Sequence, residues 1–252
     1  MQSPTPLDAY LAPLLAGNRA ACREFVMGRL EKAGNPTALY KDLLWPAMER
    51  VDKLFQEDRI NAAAEAMATR INRAIADQIQ LRLKQSSSNG KRILISCADG
   101  EPEELGAQMT ADLFEARGWE VYFLGGAVPN DEILNLVGQL RPTILLIFGT
   151  SPSGVPGVRK LVDLIREVSS NPTMNIIVSG GVFNRAEGLW TEVNADLYAA
   201  TAHEAIVVAE SAKPRPAVVP VSGVKKKRRR RRRSSILAVA TENTSSAVAA
   251  AH

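Results

Sequence analysis

The amino-acid sequence predicts an α/β fold in which a doubly wound parallel five-stranded sheet follows an all-α four-helix bundle. Two observations lead to this prediction. Helical periodicity dominates residues 7–84. After a polar linker at Ser86–Gly90, short apolar runs alternate with helical stretches, which is typical of a parallel sheet covered by helices on both faces. We therefore divide the chain into a helical bundle (1–85), a sheet domain (90–212) and a tail (213–252).

Four segments of the bundle carry apolar side chains at three- and four-residue spacing: residues 7–15, 19–33, 38–56 and 61–83. The break at Gly34–Thr37 separates the second segment from the third, and Thr37 is the predicted N-cap of the third helix. Short connections favour antiparallel neighbours. The sequence thus predicts an antiparallel bundle ahead of the sheet.

Five apolar runs supply the predicted strands: residues 93–97, 121–124, 143–148, 175–179 and, more weakly, 196–199. Helical stretches are predicted between them at residues 103–117, 130–139, 155–168 and 185–194. The run Thr143–Phe148 is continuously apolar, as expected for a parallel strand that is buried on both faces. Sheets of this kind bind ligands outside the carboxyl ends of their strands, so the loops that follow the strands are the places to search for a site.

Composition is that of a globular protein, since hydrophobic residues make up 46% and charged residues 23% of the 252. No apolar run approaches the ~20 residues that span a bilayer. The first six residues lack the basic-then-apolar pattern of a signal peptide. Cys22 and Cys97 have no CxxC spacing, so a reducing, cytoplasmic setting is the simplest expectation.

Positive charge is concentrated in the tail. The chain has 31 Lys/Arg and 27 Asp/Glu; the tail holds 11 basic residues and one acidic residue, so residues 1–212 carry 20 basic and 26 acidic residues. The composition of the tail predicts disorder. Its basic run predicts salt-sensitive attraction to nucleic acid, an acidic protein surface or an anionic membrane, without base stacking. The residues of this run are Lys225, Lys226, Lys227, Arg228, Arg229, Arg230, Arg231, Arg232 and Arg233.

A glycine- and glutamate-containing motif follows the first predicted strand: Gly100-Glu101-Pro102-Glu103-Glu104-Leu105-Gly106. Together with Leu124-Gly125, Val128-Pro129, Ser179-Gly180-Gly181 and the helical stretch Leu43–Val51, it resembles the cobalamin-binding module. That module occurs in methionine synthase, in corrinoid proteins of methyltransferase systems and in cobalamin-dependent photoreceptor regulators. The resemblance implies a four-helix cap, a Rossmann- or flavodoxin-like domain, and a corrinoid held between the cap and the carboxyl edge of the sheet.

The resemblance fails at the metal ligand. The family's loop has the pattern G-D/E-x-H-x-x-G, and Glu103 stands where the histidine would coordinate cobalt. Because a carboxylate suits cobalt in a corrin poorly, no metal ligand is assigned and cobalamin is not expected to bind with a histidine on the metal. Glu101 matches the acidic residue that would orient the histidine. Stabilising a helix N-terminus is the alternative role for both glutamates.

Further candidate cofactor-binding residues rest on the same resemblance. Phe55 takes the place of an aromatic side chain over the corrin, with packing between two helices as its alternative, and Glu65 keeps the acid of a Glu-His pair. Gly149 replaces a serine that would hydrogen-bond the nucleotide tail of cobalamin, and Ser151 is the substitute donor. The other candidates are glycines that let a ligand approach the backbone closely: Gly106, Gly180 and Gly181.

These substitutions favour a cobalamin-binding-type sensor or regulatory protein, transcription-related and non-enzymatic, over an enzyme. A corrinoid carrier of a methyltransferase system and a cobalamin-independent interaction module are the alternatives. Expected partners are a corrinoid or other tetrapyrrole, a protein and, through the tail, nucleic acid or an acidic surface; a homo-oligomer is compatible with the sequence. His203 and His252 are the only histidines, which gives no support to a histidine-based zinc site or catalytic triad.

Overall fold

The first third of the chain is helical in the computed structural model, which describes residues 5–101 and 103–216. The helices of this part are α1 (Pro6–Leu15), α2 (Arg19–Ala33), α3 (Pro36–Leu39), α4 (Trp45–Gln56) and α5 (Ala62–Gln80). Helices α3 and α4 are continuous through a π-helical turn at Tyr40–Leu44, so the five helices form four rods. The predicted four-helix bundle is confirmed, and we call it the cap.

Asparagine side chains fix where three of the cap helices begin. Asn18, Asn35 and Asn61 each accept a hydrogen bond from the backbone N–H three residues further on. The prediction that Thr37 caps the third rod was wrong. Asn35 is the cap, and Pro36 then occupies the first helical position, where its missing N–H costs nothing.

The π-helical turn in the third rod precedes a proline. The N–H of Trp45 donates to the carbonyl oxygen of Tyr40, five residues back, and Pro46 follows with no N–H to donate. The hydroxyl of Tyr40 lies 2.9 Å from the carbonyl oxygen of Ala76 and 2.9 Å from Oδ2 of Asp112. Because Asp112 belongs to the sheet domain, this buried tyrosine joins the cap to it.

Five parallel strands form the sheet: β1 (Arg92–Cys97), β2 (Glu120–Gly125), β3 (Ile144–Phe148), β4 (Asn175–Ser179) and β5 (Leu197–Ala199). Their spatial order is β2-β1-β3-β4-β5, with every neighbouring pair parallel. Every residue of β3 and β4 is buried, which accounts for the continuously apolar sequence of β3 and the apolar centre of β4. The order reverses between β1 and β3, so the predicted doubly wound five-stranded sheet is confirmed.

Six helices accompany the strands: α6 (Leu105–Ala116), α7 (Asn130–Leu140), α8 (Val155–Val168), α9 (Gly181–Arg185), α10 (Leu189–Glu192) and α11 (Ala202–Ser211). The helix predicted at 185–194 was wrong, because Gly188 takes a φ of +79° and separates α9 from α10. The helix predicted to begin at residue 103 begins at Leu105 instead. Glu103 and Glu104 therefore precede its first turn.

Alternating side chains on the strands face two apolar cores. Along β3, Ile144, Leu146 and Phe148 share one core with α6, α11 and the cap. Leu145 and Ile147 share the other with α7 and α8. Phe148 is the last residue of its strand, so its ring lies at the carboxyl edge on the side that the cap covers.

Some expectations concern residues beyond those that the structure describes. The predicted disorder of the tail and its basic run at 225–233 lie outside the described residues. Within 5–101 and 103–216, none of the helices has the length and apolar character that a membrane span requires.

Candidate ligand cleft between the cap and the sheet

The loops after β1 and β3 meet where the strand order reverses, which is where doubly wound sheets hold ligands. Glu101, in the first loop, accepts a hydrogen bond at 2.6 Å from the backbone N–H of Thr150 in the second, and it also contacts the hydroxyl of Thr150. Glu104 accepts a hydrogen bond at 2.6 Å from the N–H of Gly126, after β2. These two carboxylates therefore tie three strand-end loops together.

Glu103 lies between those two glutamates in the chain and lines a cleft under the cap. Its Oε1 accepts a hydrogen bond at 2.9 Å from the N–H of Leu105, the first residue of α6. Burial raises the pKa of Glu103, while hydrogen bonds from Leu105 and from the side chain of Thr69 act in the opposite direction. Glu103, which the sequence resemblance predicts at the histidine position, thus stabilises the start of a helix and also faces the cleft.

The cleft has a volume of about 250 Å³ and separates α4 and α5 of the cap from the carboxyl ends of β3 and β4. Trp45, Val51 and Phe55 give its cap side an apolar wall. Six of the nine predicted cofactor-binding residues line it: Phe55, Glu65, Glu103, Ser151, Gly180 and Gly181. The loops and helices brought together by the fold therefore assemble most of the predicted set around one space.

Two of these residues come from the cap. Phe55 is half-buried in the wall of the cleft. Glu65 lies in the first turn of α5. Burial raises the pKa of Glu65, and the nearby carboxylates of Glu103 and Asp52 raise it further. The cap therefore contributes an aromatic ring and an acid whose neutral form is favoured by its surroundings.

Gly106, at the end of the motif, does not border the cleft because Phe148 covers it. A Cβ atom at Gly106 would lie 2.3 Å from the Cζ of the Phe148 ring. That ring is 3% exposed, and it meets the indole of Trp45 edge-on, with 6.4 Å between the ring centroids. Sequence reasoning missed Phe148 and Trp45 as parts of the site. A large aromatic side chain immediately before Gly149 was the available indication.

The backbones of the glycines that follow β3 and β4 lie in close contact. A Cβ atom at Gly180, where φ is +103°, would lie 2.3 Å from the carbonyl oxygen of Gly149. No L-residue with a side chain fits this approach of two backbones. At Gly181 the added Cβ would lie 2.8 Å from Nη1 of Arg185. Ser151 lines the cleft, but its side chain also accepts a hydrogen bond from the N–H of Ser153, as an N-cap.

An ion pair crosses the mouth of the cleft. Nη1 of Arg185, the last residue of α9, lies 2.9 Å from Oδ2 of Asp52 in α4. The second guanidinium nitrogen donates to the carbonyl oxygen of Thr150 at 2.5 Å. Sequence reasoning missed both charged residues, which are 133 positions apart in the chain.

Histidine does not line this cleft within the described part of the chain. His203 is partly exposed in the first turn of α11, in a separate groove with Tyr40, Lys41 and Glu204. No group of three or more His, Cys, Asp or Glu side chains suited to a metal ion occurs among residues 5–101 and 103–216. The donor set of the cleft is therefore made of carboxylates, hydroxyls and backbone groups.

Comparison with known proteins agrees with this geometry. One family model described as a B12 binding domain matches residues 91–212, and a second with the same description matches residues 7–80. The chain belongs to the B12-binding family. The predicted resemblance to the cobalamin-binding module, in both its cap and its sheet domain, is confirmed.

Several relatives of this B12-binding chain are named corrinoid proteins. Dimethylamine corrinoid protein 1 of Methanosarcina acetivorans is 22% identical over 203 residues, which cover 78% of this chain and 94% of the relative. Trimethylamine corrinoid protein of Methanosarcina barkeri is 22% identical over 184 residues, which cover 71% and 82%. The solved structure of Methanosarcina barkeri monomethylamine corrinoid protein has the same fold, with a TM-score of 0.74, 17% identity, and coverage of 81% of this chain and 96% of that one.

The names of these relatives bear on the functional expectations. They agree with the corrinoid carrier that the sequence left as an alternative. They give no support to the leading expectation of a sensor or regulatory protein, nor to a nucleic-acid partner. The carrier function is therefore the stronger basis for a proposal.

Proposed function

We propose that this chain is a corrinoid-binding carrier protein that holds the corrin ring between its cap and the carboxyl edge of its sheet. The observation that carries the proposal is the cleft itself, because a chain that matches both halves of the B12-binding family has a cap–sheet cleft at the switch point of the sheet. The proposed division is the one predicted above, with the cap at 1–85, the corrinoid-binding domain at 90–212 and the tail at 213–252.

The chemistry of the upper lining of the cleft suits a flat, largely apolar macrocycle. Trp45, Val51 and Phe55 form an apolar wall on the cap side, and the backbone at Gly180 and Gly181 lies opposite. Amide groups at the edge of a corrin ring would meet Ser151, Asn184 and Gln56 at the polar rim of the same cleft. When bound, a corrinoid would supply cobalt-centred methyl transfer, and these residues would bind and orient the ring.

The floor of the cleft does not fit a protein imidazole on cobalt. Glu103 occupies the position of the family's ligand, and its carboxylate is engaged with the N–H of Leu105. The described lining residues offer cobalt no nitrogen ligand from histidine. We therefore propose that the corrinoid is held by its ring and not through a histidine on its lower face.

A carrier needs a partner that reaches the same cleft. Its mouth is bordered by exposed polar side chains, including Gln56 and the Arg185–Asp52 pair, each partner of which is about 40% exposed. Such a rim allows protein contact without burying an unpaired charge. The proposed partner is a corrinoid-dependent methyltransferase that brings the substrate-binding residues to the exposed edge of the ring.

Retention of cobalamin by a cleft-filling variant and a matched variant tests this function. The purified protein is incubated with hydroxocobalamin or methylcobalamin in the dark, desalted, and examined by ultraviolet–visible absorption. Met48→Trp fills the cleft from the cap side, whereas Met27→Trp enlarges an equally half-buried side chain on α2, away from the cleft. The expected result is stoichiometric retention by the wild type and by Met27→Trp, with loss in Met48→Trp.

Two other results would remove the carrier function. Colourless wild-type protein with both cobalamins and with a corrinoid that lacks the nucleotide tail would leave a cobalamin-independent interaction module as the surviving alternative. Equal retention by Met48→Trp would place the corrinoid outside the cap–sheet cleft.

A further inference from the structure

The ring of Phe148 occupies the space over Gly106 at the carboxyl edge of the sheet, beneath the cleft, and we call this space the slot. Phe148 at the end of β3 lies between Cys97 of β1 and Ser179 of β4, with which it is paired in register. Paired residues of neighbouring parallel strands point to the same face of the sheet, so these side chains form one row. The ring of Phe148 extends from this row over the bare backbone of Gly106.

Ser179 indicates that this slot is suited to a polar group. Its hydroxyl is fully buried and has no hydrogen-bond partner. Buried hydroxyls are nearly always paired, and leaving one unpaired is costly. Its neighbour in the row is an aromatic ring, which cannot supply that hydrogen bond.

The other sides of the slot are closed by backbone. Gly180 approaches the carbonyl oxygen of Gly149 so closely that no Cβ atom fits between them. The N–H of Gly149 donates to the carbonyl oxygen of Ser179 at 2.9 Å, which fixes the two strand ends against each other. Whether part of a ligand can enter between the ends of these strands therefore depends on the side chain at position 148.

We infer that Phe148 excludes the nucleotide tail of cobalamin from the sheet, so that this chain selects corrinoids by the ring alone and accepts those that lack the tail. The inference rests on the proposed corrinoid-binding function and names its ligand class: incomplete corrinoids of the cobinamide type. A benzimidazole nucleotide is a bicyclic ring with a sugar and a phosphate attached, and the space over Gly106 is already occupied by one aromatic ring.

Binding of hydroxocobinamide and hydroxocobalamin to the wild type tests the inference. The two ligands have matching upper ligands and differ in the tail. Cobinamide is expected to bind the wild type at least as tightly as cobalamin does. Cobalamin binding that is about tenfold or more tighter than cobinamide binding would mean that the protein contacts the tail. That result would overturn the inference.

Variants at position 148 separate exclusion of the tail from general crowding. Phe148→Ala opens the slot beside the Ser179 hydroxyl, and Phe148→Leu shortens the ring while retaining more packing. Leu146→Ala, on the same strand and facing the same core, is the matched control for lost packing. Phe148→Ala is expected to raise the affinity for cobalamin relative to that for cobinamide about tenfold, with a smaller rise in Phe148→Leu and none in Leu146→Ala.

The remaining outcomes are distinct. A variant that gains equally for both ligands would show that Phe148 limits the ring and not the tail, against the inference. A wild type that retains neither ligand would overturn the proposed function, and the inference with it. Cobalamin retained far more tightly than cobinamide would leave the proposed function intact and overturn only the exclusion of the tail.

Discussion

Arg185 and Asp52 form an ion pair across the mouth of the cleft, with 2.9 Å between Nη1 and Oδ2. One residue ends α9 in the sheet domain and the other lies on α4 in the cap, so the pair joins the two sides that a ligand must pass between. The side chains are 40% and 39% exposed, and exposed pairs of this kind contribute little to stability. We therefore expect the Arg185–Asp52 pair to affect the rate of ligand entry more than the stability of the fold.

Arg185→Ala is expected to speed corrinoid entry several-fold, because it removes the contact that spans the mouth. The free energy of unfolding should change by less than about 1 kcal/mol. Stopped-flow absorbance with hydroxocobalamin gives the association rate. Arg159→Ala, which removes the Arg159–Asp163 pair at 2.8 Å on α8, is the matched control and should leave the rate unchanged. If Arg185→Ala and Arg159→Ala had the same association rate, the Arg185–Asp52 pair would not limit corrinoid entry.

Asp112 should make the stability of the protein depend on pH. Burial raises the pKa of Asp112 from 3.8 to about 6, with its hydrogen bond from Tyr40 acting against the rise. A group with a raised pKa in the folded state contributes stability that is fully present below pH 3.8 and is lost as the pH rises through about 6. Above that range Asp112 is ionised in the folded protein, where burial disfavours its charge.

Asp112→Asn keeps an acceptor for Tyr40 and removes this charge. The variant is expected to match the wild type near about pH 4 and to exceed it by about 1–3 kcal/mol above about pH 7. Urea unfolding at both pH values measures the difference. In the control variant Glu132→Gln, which changes an exposed residue of α7 on the other face of the sheet, Asp112 is intact and the pH dependence should persist. A wild-type advantage at neutral pH would contradict the expected sign.

Glu103→His should supply a nitrogen ligand at the position where the sequence resemblance predicts one. The substitution gives up the hydrogen bond to the N–H of Leu105, at a cost of about 1 kcal/mol typical of helix N-terminal caps. After loading with Co(II) cobinamide, which carries no benzimidazole, nitrogen splitting is expected in the electron paramagnetic resonance spectrum of this variant. Glu103→Gln, which keeps an acceptor but supplies no imidazole, should lack it. Absence of the splitting in a fully loaded Glu103→His protein would mean that position 103 does not face the metal.

Phe55→Ala should weaken corrinoid binding about tenfold, since a half-buried ring in the cleft wall would lose its contact with the macrocycle. The matched control is Phe25→Ala. Phe25 is also half-buried, but it stacks on Tyr10 within the cap, with 5.7 Å between the ring centroids. Equilibrium titration followed by absorbance measures both. Affinity that is unchanged in Phe55→Ala would assign Phe55 to packing between helices instead.

The parallel sheet and the cap were predictable because they rest on patterns within short segments. Apolar runs identified the strands, and helical spacing identified the four rods. The doubly wound topology then brought Glu103, Ser151 and Gly180 to one edge, as a parallel sheet requires. These features depend on periodicity and connection, which the sequence carries directly.

Side-chain placement across the cleft was less accessible to sequence reasoning. The Arg185–Asp52 pair joins residues 133 positions apart, and nothing in either segment indicates the other. Phe148 is unremarkable as the end of a buried strand, and its contact with Gly106 emerges only when β1 and β3 lie side by side. The broken helix at 185–194 shows the same limit, because the polar stretch was compatible with a helix until Gly188 was placed at a positive φ.

The measurement that tests the central claim most directly is the electron paramagnetic resonance spectrum of wild-type protein loaded with cobinamide, desalted and reduced to Co(II). Cobinamide carries no benzimidazole, so any nitrogen splitting must come from a protein ligand. The account predicts a stoichiometric cobalt signal without nitrogen splitting, because the cleft holds the ring and Glu103 replaces the imidazole. Nitrogen splitting, or desalted protein without cobalt, would contradict it.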